Sequence, residues 1–199
     1  MDPKLQRRVQ RYGWDLASDH YEPLWQSQLA CARSELLARA APGPGERVLD
    51  VACGTGQVAF AAAQAVGPSG RVVGIDVSGR MIEAARIRAG TAAAVNTEFL
   101  RMDAEQLALS DGAFDVALCA LGLMYMPCPE RALQELRRVL RPGGRAGLAV
   151  WGPQSRCGWS SLFPIVDAEV SSDVCPLFFR LVHPDALAKL CTEARFAHV

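Results

Sequence analysis

The run VLDVACGTGQVA, residues 48–59, has the clearest potential for chemistry in this sequence. Hydrophobic residues bring a predicted strand to its carboxyl end, near which Asp50 stands. Gly54 and Gly56 then allow a tight turn and a close approach of the backbone to a ligand, because neither carries a Cβ. The pattern G-x-G-x-x-A alone also fits a dinucleotide site, so its meaning depends on the residues that follow.

Acidic residues recur at the ends of the next predicted strands. Asp76 follows Gly56 by 20 residues, at a strand end where a carboxylate can accept hydrogen bonds from both hydroxyls of a ribose. That geometry does not distinguish NAD from an adenosyl sulfonium. Asp103 ends the third strand and Asp115 opens the fourth, so that together with Asp50 they add negative potential. Such a potential suits a cationic ligand better than a pyrophosphate, and it favours S-adenosylmethionine.

Each of these features also has a purely structural interpretation. Glycines close many strand-to-helix turns, and a lone aspartate at a strand end is most often a helix cap. The single basic cluster, Arg137, Arg138, Arg141 and Arg145, falls at a predicted helix C-terminus, where cations interact favourably with the helix dipole. The ordered recurrence of the acids and glycines is what favours a binding site over structure alone.

The elements that position these residues alternate from Arg47 onward between short β-rich runs and helical patterns. This alternation predicts an α/β fold with a doubly wound, mostly parallel sheet. The predicted strands are RVLDVA from Arg47, RVVGIDV from Arg71, TEFLRMD from Thr97, FDVALCALG from Phe114 and RAGLAVW from Arg145.

Helix boundaries between these strands are marked by particular residues. Ala59, Ala62, Ala63 and Val66 repeat at helical spacing after the first strand. Ser78 can cap the next helix, and Pro129 suits the first position of the one after the fourth strand. The passage Arg141-Pro142-Gly143-Gly144 should end that helix and turn the chain, because proline cannot continue it and glycine adopts positive φ.

Helical patterns also precede and follow the predicted sheet. Two lie at about 5–12 and 24–40, before a breaker at 42–45. Residues 152–183 have few charges and hold Trp159, Leu162, Phe163, Ile165, Val166, Phe178 and Phe179. They predict a lid over an apolar small molecule, although a structural helical pair would look similar. We expect a single domain over 1–199, with a helical flank at 1–45, a cofactor-binding core at 46–151, the lid at 152–183, and a C-terminal helix with the start of a sixth strand at 184–199. Pro184 would lie near the start of that helix.

The composition argues against several classes of function. Lys+Arg and Asp+Glu both number 21, which removes the long-range attraction that binders of nucleic acid or of anionic membranes normally carry. The N-terminus is charged from its second residue, unlike a secretory signal, and the uncharged stretch at 116–126 is shorter than the roughly 20 residues of a membrane span. The 7 cysteines form no C-x-x-C pair, which favours buried thiols over a metal site. We expect a cytoplasmic protein with no metal, no nucleic-acid partner and no membrane span.

The ordered motifs resemble those of the class I S-adenosylmethionine-dependent methyltransferases, close to the ubiquinone/menaquinone-biosynthesis C-methyltransferases and related small-molecule methyltransferases. The first family motif is matched by Asp50-Val51-Ala52-Cys53-Gly54-Thr55-Gly56, the second by Asp76 with Met81 beyond it, and the third by Asp103-Ala104. The fourth corresponds to 114–126 and the helix-then-PGG passage to 133–144. Trp14-Asp15 and Tyr21-Glu22 look like the family's F-D…Y-D helix.

The resemblance implies a Rossmann-like fold and a cofactor role for particular residues. Asp50 and the turn Ala52, Cys53, Gly54 and Gly56 would hold the methionine moiety, with Tyr21 closing over it. Asp76 would bind the ribose, Val77 and Met81 would pack on adenine, Asp103 and Ala104 would meet its amino edge, and Cys119 and Ala120 would face the sulfonium side. Ala52 departs from the family's commonest glycine by one methyl group.

The function implied is transfer of a methyl group from S-adenosylmethionine to a small, largely apolar organic acceptor. A catalytically silent relative that acts through a partner is an alternative, and an NAD-type oxidoreductase is another. The sequence identifies no catalytic base, because His20, Tyr21, Tyr125 and His183 are each more plausible as packed or capping groups than as bases. Alignment and exclusion of water can supply much of the acceleration in such a displacement. The oligomeric state is not predicted.

The end of the sequence is also informative by comparison with the family. Relatives complete the sheet with a sixth parallel and a seventh antiparallel strand after the helix expected here at 185–194, and only 195–199 remain. We therefore expect a sheet that lacks its last strand or two, either in a shortened form of a longer protein or with a partner strand at the open edge. Arg195 stands where relatives tend to place glycine, so it must take a positive φ or end the helix differently.

Overall fold

A five-stranded parallel sheet forms the centre of the protein. The structure is a computed structural model that describes residues 2–169, 175–183 and 185–199. The strands are β1 (Arg47–Val51), β2 (Arg71–Asp76), β3 (Thr97–Arg101), β4 (Phe114–Ala120) and β5 (Leu140–Ala149). Their order is β3-β2-β1-β4-β5, and all four pairings are parallel. The predicted α/β fold with a parallel sheet is confirmed.

Helices cover the sheet on both faces, as continuous hydrophobic strands require. They are α1 (Pro3–Trp25), α2 (Ala30–Ala40), α3 (Gln57–Val66), α4 (Gly79–Thr91), α5 (Pro129–Val139), α6 (Leu162–Glu169) and α7 (Ala186–Glu193). One core cluster joins the sheet to α2, α3 and α4, and the other joins it to α5 and α7. The winding direction reverses between β1 and β4, which creates a topological switch point there.

The local helix signals in the sequence act as expected. Ala59, Ala62 and Val66 are fully buried on α3, where small side chains let the helix lie close to the sheet. The Ser78 hydroxyl accepts a hydrogen bond from the Met81 N–H at 3.1 Å and caps α4. α5 begins at Pro129 as predicted.

The junction of α5 and β5 differs from the prediction. The strand begins at Leu140, directly after the helix, and pairs Leu140 with Phe114 and Arg145 with Val116. Residues 141–144 therefore stand opposite Asp115 alone, and they form a bulge inside the strand instead of a turn before it. Gly143 has φ +77°, the positive value that was expected of this glycine.

Both ends of the chain also depart from the predicted elements. The first two helices are divided differently, because α1 continues through Gly13 to Trp25 and α2 starts only at Ala30. No strand forms at 195–199, although the start of a sixth had been predicted; in that stretch the Phe196 N–H bonds to the Cys191 carbonyl and its ring packs on the core. Arg195 ends α7 with φ +65°, as expected where relatives tend to place glycine.

Two parts of the predicted C-terminal region are outside the described residues, namely 170–174 of the predicted lid and Pro184. The division of the chain into flank, core, lid and C-terminal helix remains a prediction. None of the helices in the described ranges combines the length and apolar character needed to cross a membrane.

Candidate functional site

A cleft lies at the carboxyl ends of the strands, beside the switch point between β1 and β4. It holds about 800 Å³ of empty space, counting the part open to solvent. Its walls are Arg7, Gln10, Trp14, Tyr21, Ala52, Gly54, Ile75, Asp76, Val77, Met81, Met102, Asp103, Ala104, Glu105, Ala120, Leu121, Gly122, Tyr125, Met126 and Pro127. Open α/β sheets bind their ligands at this position.

A second cavity adjoins the cleft and shares part of its wall. Tyr21, Ala52, Gly54, Ala120 and Leu121 line both spaces. The second cavity adds Leu29, Ala32, Arg33, Asp50, Cys53, Thr55, Gln57 and Val58. The predicted methionine-binding residues are therefore divided between two neighbouring spaces.

The backbone at the switch point is held in unusual conformations. Ala52 follows β1 with φ +56° and Leu121 follows β4 with φ +58°, values that side-chain-bearing residues rarely adopt. A methyl group on Gly122 would lie 2.4 Å from the Ala52 Cβ, so the two strand ends approach too closely for any residue but glycine there. Strained backbone of this kind concentrates at functional sites.

Asp76 organises the turn that follows β1. Its carboxylate accepts hydrogen bonds from the Gly54 N–H at 2.9 Å and from the Ser78 N–H at 2.8 Å. Burial raises the pKa of Asp76 to about 6, because desolvation outweighs these two hydrogen bonds. Asp76 also lines the cleft, as its predicted contact with a ribose requires.

Asp50 is buried without compensation. The residue is 1% exposed, and neither carboxylate oxygen has a partner with normal hydrogen-bond geometry among the described residues, although the nearby Ala59 N–H acts to lower its pKa. Burial raises the pKa of Asp50 to about 8. An orphaned buried carboxylate in the wall of a cavity fits a ligand that brings a cationic group, such as an ammonium or a sulfonium. The site therefore fits S-adenosylmethionine in charge as well as in position.

Tyr21 lies where the two spaces meet. Its Cε1 atom is 3.9 Å from the position that a Cβ on Gly54 would occupy. Burial, reinforced by the neighbouring carboxylates of Asp76, Glu22 and Asp50, raises the pKa of Tyr21 to about 12. The phenol therefore stays neutral at physiological pH and can donate a hydrogen bond.

The residues predicted to surround adenine line one side of the cleft. Val77, Met81, Asp103 and Ala104 all belong to its wall. Asp103 forms an ion pair with Arg7 at 2.6 Å and accepts a hydrogen bond from the Glu105 N–H at 3.0 Å. Its carboxylate is thus shared between α1 and the loop after β3.

Three residues predicted to contact the cofactor have other places in the structure. Gly56 lines neither space. A Cβ there would lie 2.9 Å from the rings of Phe60 and Phe99, so its small size allows these rings to pack. Its φ of +88° allows the chain to enter α3. Cys119 also lies behind the wall, because alternation along β4 turns its side chain into the core. Cys53 lines only the second cavity, and burial raises its pKa well above the ordinary value.

α1 forms the cover of the cleft, a role that the sequence indicated only at Tyr21. Arg7, Gln10, Trp14 and Tyr21 of this helix face the cleft. At its far end the Glu22 carboxylate accepts hydrogen bonds from the Thr55 hydroxyl and the Arg88 guanidinium.

Two further polar contacts fasten the rest of α1. The Asp15 carboxylate accepts a hydrogen bond from the Ser78 hydroxyl at 2.6 Å. The Gln6 amide donates to the Tyr125 carbonyl at 3.2 Å. The helix is thus held across the strand ends at several points along its length.

The predicted lid packs as an aromatic cluster beside the cleft. The cluster consists of Trp14, Tyr21, Trp25, Tyr125, Trp151, Trp159, Phe163, Phe178 and Phe179, with ring centroids 5.1–6.5 Å apart. No described residue of 152–183 lines the cleft itself. The segment reaches the cleft through Phe178, whose ring contacts Tyr125 at 5.2 Å. A covering role for this segment stays a prediction.

Two of the four residues weighed as possible bases line the cleft. Tyr21 and Tyr125 are on its wall, whereas His20 and His183 are exposed and lie outside it. Burial raises the pKa of Tyr125 even further than that of Tyr21. Neither phenol is therefore suited to accept a proton at neutral pH.

Several wall residues had no predicted role. Leu121, Gly122, Met126 and Pro127 lie in and around the 3-10 turn Leu123–Tyr125 after β4. The first three fall within the fourth motif, 114–126, and Pro127 directly follows it, and that position was the only available signal.

Comparison with known proteins agrees with this geometry. A family model described as a methyltransferase domain matches residues 48–144. The ubiquinone/menaquinone biosynthesis C-methyltransferase UbiE of Methylobacterium nodulans is 36% identical, over 93% of this chain and 77% of that protein. The demethylmenaquinone methyltransferase of Lactococcus lactis subsp. lactis is 40% identical, over 57% of this chain and 45% of the relative.

A solved structure gives the same result. The crystal structure of a SAM dependent methyltransferase from Aquifex aeolicus superposes with a TM-score of 0.52 at 28% identity, covering 55% of this chain and 58% of that one. The identity to the Methylobacterium nodulans protein extends over most of both chains, and the cleft occupies the ligand position of the shared fold. The chain thus belongs to the class I S-adenosylmethionine-dependent methyltransferases.

Proposed function

We propose that this protein transfers a methyl group from S-adenosylmethionine to a small, largely apolar acceptor of the hydroquinone type. The observation that carries the proposal is the joining of a polar and an apolar region in one cleft. Its wall combines the carboxylates of Asp76 and Asp103 with the apolar side chains of Leu121, Met126 and Pro127. Two relatives, a ubiquinone/menaquinone biosynthesis C-methyltransferase and a demethylmenaquinone methyltransferase, support a quinone-like acceptor by their names.

When bound, S-adenosylmethionine supplies an electrophilic methyl group on a sulfonium. Asp50 would hold the cationic methionine portion, because its unpartnered buried oxygens gain a counter-charge there. Asp76 would accept from the ribose hydroxyls while it keeps the Gly54 N–H in place. Val77 and Met81 would pack on the adenine ring.

The apolar side of the cleft would orient the acceptor and exclude water. Trp14 and Tyr125 contact each other edge to face, with centroids 5.5 Å apart, and both line the cleft. An aromatic acceptor can pack against such a pair. The neutral phenol of Tyr125 would donate to an acceptor oxygen instead of removing a proton from it. Positioning by the chain, with α1 over the cleft, is the contribution to catalysis that we propose.

We place this reaction in a reducing compartment and propose the cytoplasm, without nucleic acid as partner. The six cysteines for which the structure describes a side chain are all unpaired, which supports a reducing environment. The equal numbers of basic and acidic residues support a small-molecule substrate over a polyanion.

Isothermal titration with S-adenosylhomocysteine and, separately, with NAD tests the cofactor. Binding of the former alone is expected, and tighter binding of NAD would contradict the proposal. Transfer of radiolabelled methyl to a series of hydroquinones, phenols and amines then tests the acceptor. Cofactor binding without transfer to any of them would favour the alternative of a catalytically silent relative.

A further inference from the structure

The outward face of α1 carries a stripe of large apolar side chains. Leu5, Val9, Tyr12 and Leu16 are 43%, 36%, 66% and 59% exposed. Their spacing of four, three and four residues places them along one line of the helix. We call these four residues the apolar stripe.

The inward face of the same helix is unusually polar. The buried residues of α1 are Gln6, Gln10 and Ser18. A surface helix that packs for stability normally buries its aliphatic side chains and exposes its polar ones. α1 reverses this arrangement, which leaves the apolar stripe without a partner in the described part of the chain.

Cations accompany the apolar stripe along one flank. Lys4, Arg8 and Arg11 repeat with spacing of four and three residues, and none of them forms an ion pair with a side chain in the described ranges. Arg101 joins them across a shallow groove at the end of β3. The one acid in that groove, Asp103, is already paired with Arg7.

We propose that the outer face of α1 docks on an anionic lipid bilayer. In this arrangement the apolar stripe enters the boundary between headgroups and acyl chains, and Lys4, Arg8 and Arg11 meet the lipid phosphates. Aliphatic residues along a helix with flanking cations are the pattern of helices that lie in a bilayer surface. The balanced net charge of the chain does not oppose this, because residues 3–12 contain four cations and no acid.

A second copy of the chain fits this surface less well. Pairing of two α1 helices would bring the cationic flanks of both copies into one interface, where like charges repel. None of the cavities described here includes a residue of the stripe, so the stripe offers no groove to a peptide.

Docking by α1 would bring the covering helix of the cleft to the lipid. The same helix lines the cleft with Arg7, Gln10, Trp14 and Tyr21. A quinone-like acceptor partitions into the bilayer, so the docked enzyme would meet it there. That last step rests on the proposed function, whereas docking itself does not.

Co-sedimentation of the full chain with vesicles tests the proposal. We expect binding to vesicles of phosphatidylcholine with phosphatidylglycerol, a decline as salt increases, and little binding to phosphatidylcholine alone. The double variant Arg8→Gln/Arg11→Gln should weaken binding about 30-fold, at about fivefold for each cation. The matched double variant Arg131→Gln/Arg137→Gln, with exposed cations on α5, should bind as the unaltered chain does.

The apolar stripe has its own pair of variants. Leu5→Ser/Val9→Ser should lower vesicle binding by about tenfold or more, while Ile87→Ser/Val95→Ser, at positions 65% and 92% exposed elsewhere, should not change it. Unchanged binding of the stripe variant, or no binding to anionic vesicles, would overturn the proposal. The proposal would also be overturned if sedimentation velocity showed that the unaltered chain is a dimer and that the stripe variant is a monomer. S-adenosylhomocysteine affinity measured without vesicles tests the proposed function separately.

Discussion

Two buried carboxylates with different surroundings dominate the site at the scale of single residues. Asp76 is held by two backbone N–H groups, and its pKa rises to about 6. Asp50 has no such partners among the described residues, and its pKa rises to about 8. Near neutral pH most Asp50 side chains are therefore protonated before a cationic ligand arrives, whereas most Asp76 side chains are charged.

Asp50→Asn should change how stability depends on pH. A carboxyl group whose pKa rises on folding stabilises the folded state most when the pH is below its unfolded-state pKa, near 4. This stabilisation is lost as the pH increases toward the folded-state pKa of about 8. The free energy of unfolding of Asp50→Asn, relative to the unaltered chain, should therefore increase by a few kcal/mol between pH 4 and 8. Urea unfolding at several pH values measures this.

Asp115→Asn is the matched control for this comparison. A hydrogen bond from the Arg47 N–H and the neighbouring Arg141 guanidinium lower the pKa of Asp115, so its contribution is lost only as pH falls below about 4. Its relative stability should stay constant between pH 5 and 8. A similar increase in both variants would contradict the assignment to Asp50.

Ala52→Gly should stabilise the fold. Ala52 has φ +56°, where an L side chain is strained and glycine is not. After allowance for the greater freedom of glycine in the unfolded chain, we expect a gain of about 0.5–1 kcal/mol. Ala65→Gly, at an exposed position of helix α3, should instead cost about 0.5–1 kcal/mol. A loss of stability in both variants would show that the Ala52 conformation carries little strain.

At the scale of elements, α1 is the piece of the structure that the sequence described least well. The short β-rich runs predicted all five strands, of which β1, β2 and β4 are mostly buried, as central parallel strands are. Hydrophobic patterning did not predict how α1 is oriented, because its aliphatic residues point outward and Gln6, Gln10 and Ser18 point inward. Periodicity locates the apolar face of a helix, and here that face is not the buried one.

Glu22→Gln should loosen α1 over the cleft. The variant weakens the hydrogen bonds that Glu22 accepts from Thr55 and Arg88. Thr55 is only 1% exposed, so water cannot readily replace its partner. We expect faster amide hydrogen exchange in the second half of α1 and an S-adenosylhomocysteine affinity about five- to tenfold lower, equivalent to about 1 kcal/mol. Glu35→Gln breaks an exposed ion pair with Arg39 and should change neither quantity. Normal exchange in the Glu22 variant would mean that other contacts hold α1.

The junction of α5 and β5 shows a different limit of sequence interpretation. Pro142-Gly143-Gly144 has the composition of a turn, yet it forms a bulge inside the strand. The choice is made by pairing with β4, a contact between residues far apart in the sequence. Asp50 likewise could be placed by its motif, while its protonation depends on a burial that no local pattern shows.

At the scale of the whole molecule, the arginines at and after the end of α5 form ion pairs that connect elements. Arg138 pairs with Glu135 and Asp111, and Arg141 with Asp115. Arg145 donates to the Ala41 carbonyl at 2.6 Å and to both oxygens of Glu46 at 2.7 and 2.8 Å. It thereby joins β5 to the end of α2 and to the segment before β1.

Arg145→Lys should lower global stability by about 1–2 kcal/mol. Lysine cannot reproduce a planar fork that binds a carboxylate and a helix-end carbonyl together. The midpoint of urea unfolding should fall while cofactor affinity stays the same, because Arg145 is remote from the cleft wall. Arg137→Lys, at an exposed position on α5, should leave the midpoint unchanged. Equal midpoints for both variants would show that a point charge suffices at position 145.

The aromatic cluster gives the protein an optical property of its own. All 4 tryptophans of the sequence belong to it, and Trp14 lies on the cleft wall itself. Trp14 contacts Tyr125, which contacts Phe178, and Phe178 in turn contacts Trp159. Trp159 also contacts Trp25 and Trp151. Because no tryptophan lies elsewhere, the tryptophan fluorescence arises entirely from the cleft wall and its neighbouring cluster. A ligand that stacks near Trp14 is therefore detectable by a change in emission, and rapid mixing can time its arrival without an attached dye.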